Sequence, residues 1–410
     1  MENDIAIEKS PIPKKAWVIL GVTYLASVTA PLAQFKVVPL AGNIIQAYGL
    51  DGVTFGYLMS ALTIIGVLLA FPATFVINKI GLKNSMLLSV ACCAIGTAIS
   101  ALTSSLGILY FSRLLEGVGI GLVGVAGPTC VSIWFPPYKR GTAMGLWATW
   151  VPLSIVFSYI VWPFVANAIG FRPIFWILFA VDVIAFVLFA IVFKMPENTH
   201  QEKQVESIKQ AVSYLKNGKL WILGIVFLCF NAMQLGILNS FYNTFLESVG
   251  YANTTASSLT SVQTAIALVT MPFLGMLVDK VGNKRWILLV ATFILYLISA
   301  FTGFKTGNAQ VAMMWTFIIV AGVGGALAGA VVRPMAPNMV PNTALGSAMA
   351  MAVLQFMQNL ANCVGSPVYG ALYESIGWEP AALTMMIPLS IIGILLSLVF
   401  IPRKKNEDVK

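Results

Sequence analysis

The 410-residue sequence is short of charge: 10% of its residues are Asp, Glu, Lys or Arg, against 59% hydrophobic. Soluble domains carry about 25% charged residues, so a water-soluble globular fold is excluded. Histidine is nearly absent. The one copy, His200, lies in a polar stretch, so histidine catalysis or a histidine metal cluster inside the apolar regions has no residues to use. The five cysteines (Cys92, Cys93, Cys130, Cys229 and Cys363) all fall within apolar runs and read as reduced packing residues, not as a disulfide framework. No GxxxxGK[ST] segment occurs, so ATP-driven work has no phosphate-binding loop. No short cleavable leader is evident, because residues 1–15 are polar and the first apolar run is too long for one. No cofactor and no enzymatic activity are expected.

What the chain has in abundance is long apolar runs. A bilayer core takes about 20 apolar residues per helix. Twelve runs of that kind are expected, at 16–40, 53–77, 84–104, 107–134, 140–167, 171–194, 218–248, 254–279, 285–305, 309–336, 343–373 and 379–402. The expected fold is an all-α integral membrane protein of twelve transmembrane helices, arranged as two six-helix bundles around a central cavity. The bundles are expected at 1–194 and 219–410, joined by a polar cytoplasmic linker at 195–218.

Of the 24 Lys and Arg residues, 19 fall in the two tails, the linker and every second loop. Arg172 and Lys305 fall on the other side, and Lys36, Arg113 and Arg333 inside the runs. This asymmetry follows the positive-inside rule and predicts a multi-pass cell-membrane protein with both termini cytoplasmic. The net charge of +9 then reports orientation, not a nucleic-acid partner. The expected partners are the lipid bilayer and a small-molecule substrate, with the chain acting as a monomer.

The two halves repeat. ATFVINKIGLKN at 73–84 returns as LGMLVDKVGNKR, offset by 201, and EGVG at 116–119 returns as AGVG, offset by 205. FPPYKRGTAMG at 135–145 returns as VPNTALGSAMA, offset by 205, and AIGFRPIFW at 168–176 returns as SIGWEPAAL, offset by 207. Four ordered matches at a nearly constant offset mark two bundles of common design. Halves of this kind place a substrate site between them near the midplane.

With these residues in view, the chain resembles the major facilitator superfamily over nearly its whole length. The segment Gly275 to Arg285, with Asp279, Lys280 and Gly282, is similar to that family's helix 8–9 loop signature. Its first-half copy keeps Lys79, Gly81 and Lys83 but has Thr74 for the glycine and Asn78 for the acid. Arg113 to Gly119 is similar to the helix 4 signature. The resemblance implies secondary transport by rocking of two bundles, with the loop signature as a charge-relay latch on one facing state. The glycine- and proline-rich helix 5 signature of the family's drug/proton antiporters is missing from MGLWATWVPLSIVFSYIVWP, as are the glycine-rich signatures of its nitrate porters.

A lone ionised group at mid-bilayer costs about 2.5–3.5 kcal/mol, so each one is a candidate site. Lys36 and Arg333 are expected to draw a small organic anion, with the helix expected to break locally at Arg333 because Pro334 follows it. A guanidinium suits a carboxylate through paired hydrogen bonds. Arg113 and Glu116, three apart on one helix face, are expected to pair, and with Asp182 they form the candidate coupling set for a proton. Snorkelling of Lys36, a gate contact for Arg333 and a structural pairing for Asp182 are the plainer alternatives.

Polar stripes supply the remaining candidates. Asn231, Gln234, Asn239 and Tyr242 share one face at about 100° per residue, and Gln355, Gln358, Asn359, Asn362 and Ser366 share another. Of these, Asn231, Gln234, Tyr242, Gln355, Asn359 and Asn362 are the expected substrate ligands. Shorter stripes run through Ser257, Thr260, Ser261 and Thr264, and through Trp147, Trp150, Ser154 and Ser158. The expected function is secondary transport of a carboxylate-like anion by proton coupling or exchange. Proton-driven export of drug-like molecules is the alternative, and a non-transporting receptor or scaffold is the alternative of another class.

Overall fold

A computed structural model describes residues 12–37, 39–50, 52–196, 212–251, 253–306, 310–341 and 343–401. Most of the polar linker, including His200, lies outside the described residues. The described chain is helical throughout, with twelve principal helical segments. These are α1 (Lys14–Phe35), α2 (Gly52–Leu69 continued by Pro72–Ile80), α3 (Leu82–Leu102), α4 (Leu106–Trp134), α5 (Arg140–Ile169) and α6 (Arg172–Val192). The second half follows with α7 (Gly218–Ser248), α8 (Asn253–Val281), α9 (Arg285–Thr302), α10 (Gln310–Met335), α11 (Ala344–Ile376) and α12 (Trp378–Ser397).

Ten of these are long and apolar enough to cross a membrane, and the two parts of α2, bent by 64°, make an eleventh. α11 is the longest at 33 residues. Its amides lower its hydropathy and keep it out of that set.

Departures from a straight α-helix have local causes. The bend in α2 precedes Pro72 and the break in α5 at Thr149 precedes Pro152, where the ring removes a backbone donor. α5 and α11 both end on a glycine with positive φ, Gly170 at 83° and Gly377 at 86°, so the repeated I-G pair marks one turn used twice. α1 stops at Phe35, earlier than expected, and a separate short helix, Ala41–Tyr48, follows it. Pro334 does not break α10 at Arg333. The helix runs on to Met335 and then tightens into a 3-10 turn at Ala336–Met339, so the lost hydrogen bond falls in its last turn.

Between lipid-facing helices the hydrophobic effect offers little, so close approach of small residues does the packing. Gly117 lies against the Leu62 backbone of α2, and Gly322 against the Gln263 backbone of α8. α1 packs on α3, α4, α5 and α6, and α7 packs on α11 and α12. The two bundles meet where α5 touches α8 and α10, and where α11 touches α2 and α4. The loops after α2, α4 and α8 and the start of α1 share one end of the molecule, here termed the basic face.

Candidate functional site

The structure gathers four of the five intramembrane charges inside the first bundle. Lys36 follows directly on α1 and is fully buried. Its ammonium forms an ion pair with Glu116 of α4, donates to Thr97 Oγ1 of α3 at 3.1 Å and lies 5.0 Å from the Phe175 ring. Arg113 pairs with the other Glu116 oxygen at 2.6 Å, as the i,i+3 spacing predicts. Arg113 also donates to the carbonyls of Ala33 at 2.7 Å and Gln34 at 3.3 Å. These belong to the last turn of α1, whose free carbonyls favour a cation. Asp182 of α6 is buried beside this group and interacts electrostatically with Lys36 and Glu116, and its Oδ2 has no hydrogen-bond partner.

Two formal positive and two negative charges therefore balance in one buried cluster. The expectation of a free ammonium at Lys36 for an anion is corrected here, because Glu116 takes that charge. Sequence spacing could not reveal this, since Lys36 and Glu116 are 80 residues apart.

Arg333 stands apart from the cluster, at the junction of the bundles. Its guanidinium lies 5.1 Å from the Trp147 ring of α5 and 5.4 Å from the Phe227 ring of α7. Nη2 donates to Gln358 Oε1 of α11 at 2.9 Å, while Nη1 is buried without a partner. Among the described residues, Arg333 forms no ion pair.

The amides of α11 flank it. Gln355 presses on Gly124 of α4, and a methyl group on Gly66 of α2 would stand 2.9 Å from Asn359 Nδ2. Gln355 Oε1, Asn359 Nδ2 and Asn362 Oδ1 are buried polar atoms without partners. Gln355 and Asn359 occupy glycine notches of the opposite bundle, so in this conformation this part of the stripe forms part of the seam between the bundles.

The α7 stripe does not hold as one face. Residues Ala232–Leu238 form a π-helix, in which each N–H bonds back five residues in place of four, and this wider winding shifts everything beyond it. Gln234 accepts from Tyr296 and donates to Asn239 Oδ1 at 3.0 Å. Asn231 donates to the Phe227 carbonyl at 2.7 Å. Tyr242 is turned away from its expected neighbours into a fully buried aromatic group with Phe245, Phe304 and Phe317. On α8, Thr260 and Thr264 bond backbone carbonyls of their own helix, and the Ser257 side chain lies outside the described residues. On α5, Trp147 donates to Ser27 Oγ at 3.0 Å and Ser154 reaches the Val28 carbonyl, so that stripe packs on α1.

At the basic face, Asp279 of α8 caps the start of α5. Its oxygens accept from the Gly141 and Thr142 backbone N–H groups at 2.7 Å each, and Thr142 Oγ1 donates to it as well. The first N–H groups of a helix have no partner within it and attract an anion. The acid thus hydrogen-bonds backbone amides of the other bundle and also interacts electrostatically with Arg285, a basic neighbour of the expected latch. Arg140 donates to Asn338 Oδ1 at 2.8 Å across the same seam, and Arg285 reaches the Pro137 carbonyl at 3.5 Å. Gly275 lies against Gly141 and Gly145, an approach that side chains would block.

Gly282 has φ +54° and Gly81 φ +86°, so both copies of the loop turn on glycine. Lys79 and Lys280 are exposed. Asn78 stands where the second half has Asp279. The start of α11, which matches that of α5, is capped instead by its own Thr343, which accepts from the Gly346 N–H at 2.9 Å.

Thr97, Tyr296, Thr142 and Asn338 complete these sites and were not expected from the sequence, while Gln358 stood in the expected α11 stripe but not among the expected ligands. Of the four unexpected residues, Thr142 left a trace there, as part of the repeated segment at 135–145.

Comparisons with known proteins agree with this architecture. The model of the Major Facilitator Superfamily matches residues 23–251 and 225–410. Multidrug resistance protein 2 of Bacillus subtilis is 24% identical over 299 residues, covering 70% of this chain and 72% of that protein. The putative metabolite transport protein YwtG of the same organism is 24% identical over 378 residues, covering 80% and 79%. Among solved structures, the transporter FucP in its outward conformation superposes with a TM-score of 0.78 at 13% identity, covering 95% of this chain and 100% of that one. The human organic anion transporter MFSD10 gives 0.76 at 13% identity, covering 94% and 100%.

Proposed function

Because the chain belongs to the Major Facilitator Superfamily, we propose that it is a secondary transporter that moves a small organic anion, most simply a carboxylate, by alternating access. The observation behind this reading is Arg333. A buried guanidinium that bridges both bundles without a carboxylate partner, with Nη1 unpartnered, is a binding element for an anion. The unpartnered amide atoms of Gln355, Asn359 and Asn362 would orient the rest of the substrate. Substrate arriving between the bundles would compete with Trp147 and Gln358 for the guanidinium, and would so link occupancy to separation of the seam.

In this reading the basic face is cytoplasmic, the membrane is the cell membrane and the chain works as a monomer. Asp279 on the α5 terminus holds the cytoplasmic side shut, with Lys280, Gly282, Arg285, Lys79 and Gly81 shaping the loops. The balanced cluster of Lys36, Arg113, Glu116 and Asp182 is the coupling element, and a proton is the coupling ion. The test is uptake of labelled mono- and dicarboxylates into proteoliposomes. Wild-type protein should accumulate at least one class under an inward proton gradient, and Arg333→Ala should not. Equal uptake by both would overturn the anion site.

The relative named a multidrug resistance protein supports a second reading, proton-driven export of drug-like molecules. Efflux of lipophilic cationic dyes from the same proteoliposomes, unaffected by carboxylates, would favour it.

A further inference from the structure

At the basic face, where α8 gives way to α9, the surface is hollowed into a groove of about 520 Å³ lined by Lys280, Val281, Lys284, Ile287 and Leu288. This volume falls within the roughly 300–1,000 Å³ typical of small-ligand sites. Lys280 and Lys284 are both exposed, the first just before and the second at the end of the 3-10 turn Gly282–Lys284, and, among the described residues, pair with no carboxylate. The nearest acid in sequence, Asp279, has its oxygens on Gly141 and Thr142 of the other bundle. Ile287 is 45% exposed on the apolar span Arg285–Thr302, so its side chain faces lipid. The groove therefore joins uncompensated positive charge at headgroup level to an aliphatic wall that runs into the bilayer.

We propose that this groove binds one anionic phospholipid, its phosphate between Lys280 and Lys284 and an acyl chain along Ile287 and Leu288. Basic pockets at a membrane surface select anionic headgroups, and each lysine there contributes to the attraction. Free phosphate would satisfy the lysines and leave the aliphatic wall unused. The internal repeat supplies a matched comparison. Lys79 and Lys83 lie 201 positions earlier with the same spacing, but Met86, the counterpart of Ile287, is 0% exposed. That loop keeps both lysines, but its exposed aliphatic side chains are Ile80 and Leu88, and the position matching Ile287 is turned inward.

The full chain, purified in detergent and stripped of lipid, can be titrated with palmitoyl-oleoyl phosphatidylglycerol or phosphatidylcholine and read by native mass spectrometry. One phosphatidylglycerol should be retained more tightly than phosphatidylcholine. Lys280→Gln/Lys284→Gln should weaken it about tenfold or more, while Lys79→Gln/Lys83→Gln should leave it unchanged. Ile287→Asn, which keeps both lysines, should also weaken retention and guards against a misfolded double variant. Unfolding midpoints are measured for each. Wild-type retention by the Lys280/Lys284 variant, equal losses in the two lysine pairs, or displacement of the lipid by millimolar inorganic phosphate would each overturn the proposal.

Discussion

Asp279 accepts the backbone hydrogens of Gly141 and Thr142 on separate oxygens at 2.7 Å, so one side chain of the second bundle caps a helix of the first. A carboxylate at a helix N-terminus contributes about 0.3–2 kcal/mol, and hydrogen bonds to a charged group about 1.5–3 kcal/mol. Asp279→Asn keeps one acceptor and loses the charge, so the closed basic face should lose about 1–3 kcal/mol, roughly tenfold in population per 1.4 kcal/mol. Transport rate should change more than substrate affinity. Spin-label distances between the 4–5 and 8–9 loops should lengthen, and a large affinity loss with normal turnover would count against the latch.

Arg333→Ala should reduce anion uptake by about a hundredfold, the scale of a lost charged hydrogen-bonding partner of roughly 3 kcal/mol. Arg333→Lys should recover only part of it, because an ammonium lacks the planar fork and stacks less well between Trp147 and Phe227. Uptake rates alongside unfolding midpoints separate a lost site from a lost fold.

The Lys36–Glu116 pair makes a different prediction from the sequence-based one. Removing one partner of a buried ion pair costs about 3–5 kcal/mol, because the other charge is left uncompensated. Lys36→Met and Glu116→Gln should each lower thermal stability markedly. The double variant leaves Arg113 and Asp182 to balance and should be more stable than the sum of the single losses implies. A simple additive result would show that the two charges are not coupled.

Coupling is tested at Asp182. Uptake by the wild type should rise as external pH falls and collapse with a protonophore. Asp182→Asn should retain exchange and lose the pH dependence. An unchanged pH profile would remove Asp182 from the coupling mechanism.

Gly124→Ala places a methyl group on the Gln355 amide, which has no free space there. The seam between the bundles should loosen, and the basic face should become more reactive to thiol probes at engineered cysteines. Gly124→Ala combined with Gln355→Ala should restore protection.

Much of the architecture could be read from the chain by itself. Helix number, the two-bundle repeat and the basic face follow from run length, constant offset and charge asymmetry, all of which are properties of local sequence. Arg113 with Glu116 was legible for the same reason, since helical spacing alone brings them together. What local spacing could not predict was set by tertiary structure. Lys36 found Glu116 only because α1 ends at Phe35 and packs on α4. Tyr242 left its expected face because a π-helical segment, which no residue pattern announced, breaks the 100° arithmetic. Asp279 met a helix terminus as well as the charge of Arg285 because Gly141, Gly145 and Gly275 let two backbones approach across the bundles. In a membrane, polar groups pair with whatever packing brings within reach, and that is decided between helices, not along them.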